Sequence, residues 1–129
     1  MKGEPRDLVF AWTRAFAAAD LEAVLALYAQ DATFIGTSSA GFTQSPADIR
    51  AYFQRVLKDR TPGRADVVDC IVQEHGDTAI VTLLDHIVWS DAYLPIESKG
   101  RATFVLQRRA ERWLIVSFHR SEVPAPAGR

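Results

Sequence analysis

The hydrophobic period changes in the middle of this chain, and that change restricts the fold more than any single motif. Before residue 64 apolar side chains recur at helical spacing, and from Arg64 onward they recur every second residue. In "EPRDLVFAWTRAFAAAD", Leu8, Trp12, Ala15, Phe16 and Ala19 mark one helix face, with Pro5 suited to the first turn. Asp20 can cap a second helix, "LEAVLALYAQ". A short strand, "DATFIG", leads into the polar loop "TSSAGFTQ". A third helix, "SPADIRAYFQRVLKD", carries Ser45 as N-cap, Pro46 at its first position and Asp48 in its first turn.

Four period-two runs follow: "ADVVDCIVQEH", "TAIVTLLDHIVWS", "KGRATFVLQRR" and "RWLIVSFH". A Gly76-Asp77 turn, a loop near Pro95 and an Ala110-Glu111 turn separate them, as in an antiparallel meander. Helices first and consecutive strands afterwards predict an α+β fold: three N-terminal helices and a short strand packed into a strongly curved antiparallel sheet. With 129 residues, of which 48% are hydrophobic, the chain suits one domain over residues 1–123 with a flexible tail over 124–129.

Composition narrows the function. Fifteen basic residues against sixteen acidic ones give no field to recruit nucleic acid. No stretch is apolar for long enough to span a membrane, and "MKGEPRDL" lacks the hydrophobic core of a leader. A lone Cys70 cannot form an intramolecular disulfide, so a cytoplasmic protein without structural zinc is expected. "GTSSAGFT" has Phe42 where a phosphate loop needs lysine, and no dinucleotide, zinc-protease or nucleophilic-serine motif occurs. No cofactor is therefore expected.

The order of elements resembles the nuclear transport factor 2-like cone fold, which includes ketosteroid isomerases and SnoaL-like cyclases. "TFVLQRRAERWLIVSFHRSEVP" resembles the closing hairpin of the calcium/calmodulin-dependent protein kinase II association domain and its small bacterial relatives, through Val105, Arg108-Arg109, Trp113, Val116, Phe118-His119-Arg120-Ser121 and Pro124. "DATFIGTSSAGFTQSPADIRAYF" extends the likeness over nearly the whole chain. In the association domains an arginine after the hairpin's histidine enters the cone with arginines from the two preceding strands. The resemblance therefore sends Arg120 inward, while the other two positions fall on Leu84 and Phe104.

That register implies a cavity lined by Thr82, Leu84, His86, Val88, Phe104, Leu106, Val116, Phe118 and Arg120. It puts Asp85, Ser117 and His119 outside and predicts a homodimer through Trp89, Trp113, Ile115 and His119 on the outer sheet face. His86 is the candidate acid/base residue and Arg120 the candidate oxyanion anchor. The ordinary alternatives are a histidine satisfied by a neighbour and an arginine paired with an acid. Trp12, Phe16, Tyr28, Tyr52, Phe53, Thr82, Leu84, Phe104 and Phe118 are candidate ligand contacts, although aromatics at helical spacing commonly form core. Thr37, Ser38 and Ser39 belong to a loop expected to border the mouth.

Two functional expectations result. One is a cofactor-independent isomerase, dehydratase or cyclase that moves a proton in an apolar cavity holding a small apolar or weakly acidic ligand. The other is a non-catalytic oligomerisation or ligand-sensing domain resembling the kinase association domain.

Overall fold

The computed structural model describes residues 3–90 and 95–126. Three helices, α1 (Pro5–Ala17), α2 (Leu21–Leu25) and α3 (Pro46–Leu57), accompany five strands. The strands are β1 (Tyr28–Ile35), β2 (Arg64–His75), β3 (Thr78–Ser90), β4 (Pro95–Arg109) and β5 (Arg112–Glu122). They form one sheet in the order β1-β5-β4-β3-β2, antiparallel except for the parallel β1–β5 pair. The α+β expectation holds. The loop expected near Pro95 falls largely on residues 91–94, and the end of the expected tail on 127–129, outside the described residues.

The helix starts follow their local chemistry. Pro5 opens α1, where Glu4 and Asp7 close a capping box. Asp20 accepts the Ala23 amide, and Ser45 accepts the amide of Asp48. The second helix is shorter than its sequence suggests, because Tyr28 opens β1 instead of continuing a helix through Gln30. The Leu27 carbonyl accepts the Ile115 amide at 2.8 Å, so pairing with β5 captures this segment despite its helical spacing.

Bulges explain both the curvature and the main departure from strand alternation. The β4–β5 register steps from Val105–Ser117 to Leu106–Ile115, leaving Val116 as the extra residue. Trp113 and Ile115 are consequently buried before the bulge, while Phe118 and Arg120 are buried after it. Trp113 and Ile115 belong to the core, contrary to the outer-face expectation. A second register shift, at Val68 on β2, bends the other end of the sheet.

The β3–β4 pairing is continuous and sets Val81 opposite Phe104 and Asp85 opposite Gly100. Directly opposed residues share a sheet face, so Val81, Leu83, Asp85 and Ile87 face inward with Phe104. Thr82, Leu84, His86 and Val88 face outward. The register carried over from the family resemblance is therefore one residue out along β3, which exchanges its two faces completely. Trp89 also belongs to the inner set and is half-buried near the mouth.

Candidate functional site: a buried Asp–Arg pair at the mouth of the cone

The cone's interior is filled by aromatic packing. Trp12 stacks on Phe16 with centroids 4.9 Å apart, and Phe118 lies against Trp12, Phe34 and Phe104. Trp12 Nε1 donates to the Tyr28 hydroxyl at 3.1 Å, and burial pushes the Tyr28 phenol well above its ordinary pKa. Trp12, Phe16, Tyr28, Phe53, Phe104 and Phe118 are all core residues. Of these, Trp12, Phe16, Phe53 and Phe118 also border the remaining space.

That space lies at the mouth. A cleft of about 140 Å³ is bounded by α1, α3, the loop after β1 and the inner face of the sheet. A hollow of only about 20 Å³ continues beneath it toward Trp12 and Phe118. Phe16, Tyr52, Val56, Ile87 and Trp89 form its apolar wall. The ring of Tyr52 packs so closely on Gly36 that a Cβ there would collide with it.

Arg120 is the principal polar group of the inner face. Its Nε donates to Asp85 Oδ2 at 2.9 Å and its Nη2 to Asp85 Oδ1 at 2.6 Å, a two-point ion pair with both side chains almost completely buried. Asp85 Oδ1 also accepts the Gly100 amide at 3.1 Å. The other guanidinium nitrogen, Nη1, reaches Thr37 Oγ1 at 2.7 Å, while Nη2 also contacts Ser98 Oγ at 3.2 Å. The Ser98 hydroxyl in turn donates to Glu122 Oε2 at 2.8 Å. Gly100 allows this arrangement, because any Cβ there would run into the guanidinium.

This network assigns the sequence candidates differently. Arg120 is inward and buried, as expected, and His119 is exposed. His86 lies outside the cone and contacts Glu97 Oε2 through Nε2 at 2.6 Å. The hydrogen bond and charge of His86 hold the Glu97 carboxyl below the usual carboxylate range. Thr82 and Leu84 are also on the outer face, where they do not line the cleft. Asp85, expected outside, is Arg120's partner. The readable signal was its position as the lone acid in the otherwise apolar alternate set Ala79, Val81, Leu83, Ile87 and Trp89.

A larger concavity of about 590 Å³ lies on the outer face, among Ile71, Thr82, Leu84, Arg101, Thr103 and His119. It is shallow and open. Its floor is the solvent side of the sheet, away from the Asp85–Arg120 pair. No group of three or more metal-ligating side chains occurs among the described residues. No helix among them is long and apolar enough to cross a membrane.

Comparison with known proteins agrees with this fold. No curated protein matches the chain. A candidate calcium/calmodulin-dependent protein kinase II association domain from Xanthomonas campestris is 26% identical, with a TM-score of 0.84 over 96% of this chain and 91% of that one. A candidate dehydratase of the NTF2-like family from Streptomyces avermitilis superposes with a TM-score of 0.81 at 19% identity, covering 93% of this chain and 94% of that one. A ketosteroid isomerase-like protein from Erwinia carotovora atroseptica gives 0.78 at 18% identity over 93% and 94% of the two chains. The SnoaL-like domain profile matches residues 6–126, and the chain belongs to that family, with the NTF2-like cone fold.

Proposed function

We propose that this chain binds a small molecule in the cleft at the mouth of its cone, with Arg120 as the polar anchor. The observation that carries this reading is the buried Asp85–Arg120 pair, which meets Thr37 and Ser98 at the polar edge of a cleft whose other wall is apolar. A charged pair inside a hydrophobic core is costly to desolvate and adds little net stability, so its position at a cleft favours a role in recognition. Asp85 fixes the guanidinium plane. A bound carbonyl or enolate oxygen would meet prearranged donors at that end of the cleft.

Of the chemistry raised by the sequence, this proposal retains the oxyanion role of Arg120 for an isomerase, dehydratase or cyclase. It drops proton transfer by His86, which lies outside the cone. Both Asp85 oxygens are already occupied by donors, so Asp85 serves here as a positioning residue. Val56→Trp, made on α3 to fill the cleft, should abolish binding of small aromatic fragments measured by ligand-observed NMR. Fragment binding unchanged in that variant would overturn the site.

A second reading concerns assembly, favoured by the exposed outer face. Leu84 is 46% exposed and Ile71 66%, an apolar strip beside the open concavity. Asp66 and Asp69 on β2 and Lys99 and Arg101 on β4 flank this strip in register, so two copies related by a two-fold axis can match acid with base. Leu84→Asp should convert a dimer to monomer in sedimentation velocity. A wild-type monomer, or a variant that remains dimeric, would contradict this reading.

A further inference from the structure

The unused hydrogen-bonding capacity at the cleft consists largely of donors. Thr37 Oγ1 accepts from Arg120, and the Tyr52 hydroxyl accepts the Ser38 amide at 3.4 Å. None of the hydrogen bonds among the described residues uses the protons of these two hydroxyls. Arg60, on the segment between α3 and β2, adds a guanidinium. It lies 3.7 Å from the Trp89 ring centroid and 5.1 Å from that of Phe16, with no carboxylate within ion-pair distance among the described residues. Of the carboxylates nearby, Asp85 is engaged by Arg120 and Gly100, and Glu122, which takes the Ser98 hydroxyl on one oxygen, lies at the exposed rim.

Charge has the same asymmetry. Asp85 neutralises Arg120, and Glu122 stands exposed to solvent at the rim, so among the described residues Arg60 is the half-buried charge of the cleft without an ion-pair partner. Burial pushes the Arg60 guanidinium down to about 10, with Arg120's charge acting in the same direction. It remains protonated at neutral pH. The charge of a ligand anion beside it would counteract both effects.

The geometry points to Arg60 as a second anchor and to a small monocarboxylate as the ligand class. The carboxylate would lie between Arg60 and the Thr37 and Tyr52 hydroxyls, with a compact apolar body against Val56, Ile87 and Phe16. This inference rests on the small-molecule site proposed above and adds its charge selectivity. A planar guanidinium matches a carboxylate at two points, and one half-buried positive charge suits one negative charge. The cleft, at about 140 Å³, admits one small ring; drug-sized pockets run to about 300–1,000 Å³.

Calorimetry on the full chain with benzoate, its neutral isostere benzamide and the dianion phenyl phosphate tests the assignment. Benzoate should bind at least tenfold more tightly than either of the others. Arg60→Gln should weaken benzoate at least tenfold and leave benzamide unchanged, while Arg60→Lys should keep part of the preference. Equal affinity for benzoate and benzamide, tighter binding of phenyl phosphate, or benzoate binding unaffected by Arg60→Gln would overturn the carboxylate inference while leaving the cleft in place. Binding of none of the three probes would overturn both proposals. The wild-type benzoate-to-benzamide ratio requires no substitution, so a poorly folded Arg60→Gln would not spare the inference.

Discussion

At the scale of residues, the adjacent pair Asp85 and His86 separates a buried role from an exposed one. Asp85 is 5% exposed and paired with a 6% exposed Arg120, so Asp85→Ala leaves a buried guanidinium without its counter-ion. That change should cost about 3–5 kcal/mol in urea unfolding. His86→Ala removes one contact on the outer face and should stay within about 1 kcal/mol of wild type. Similar losses for the two variants, or a larger loss at His86, would contradict the register of β3. Arg120's inward direction was legible in the closing hairpin, whereas the signal of Asp85, a lone acid in an apolar alternate set, was overridden by the register taken from the family resemblance. Arg60 had no sequence signal: it sits in a short connection without periodicity, and only the fold brings it to Trp89 and Phe16.

At the scale of elements, capping and period changes made α1, α3 and the four long strands readable, since each rests on local chemistry. The features that were missed depend on pairing. Tyr28 joins β1 because β5 offers it a ladder, and Val116 interrupts alternation because of a bulge that local propensity does not mark. The bulge converts Trp113 and Ile115 from expected dimer contacts into core. Ile115 is fully buried, so Ile115→Ala should lower stability by about 2–5 kcal/mol whatever the protein concentration. A loss that vanishes on dilution to monomer would instead identify Ile115 as an interface residue.

At the scale of the whole molecule, the curved sheet separates two surfaces. Its concave side, closed by α1 and α3, packs aromatics and leaves a small cleft around Asp85–Arg120. Its convex side carries an apolar strip, two pairs of opposite charges and a broader concavity. The fold was legible because order of elements and the closing hairpin agree on it, and the family profile covers residues 6–126. Function was less legible because this scaffold hosts different activities and the decisive groups converge from separate elements. Thr37 follows β1, Arg60 follows α3, and Asp85, Ser98 and Arg120 lie on three strands.

On the proposed reading, small molecules enter the cone's mouth beside Arg120 and the larger outer concavity is left for a second copy of the chain. Amide chemical-shift mapping of the ¹⁵N-labelled chain during titration with benzoate tests it most directly. The expected result is saturable perturbation around Gly36–Ser38, Ser98, Gly100 and Arg120–Glu122, with Ile71, Thr82 and Thr103 unmoved. Perturbations concentrated on those three outer-face residues, or none at all, would contradict the account.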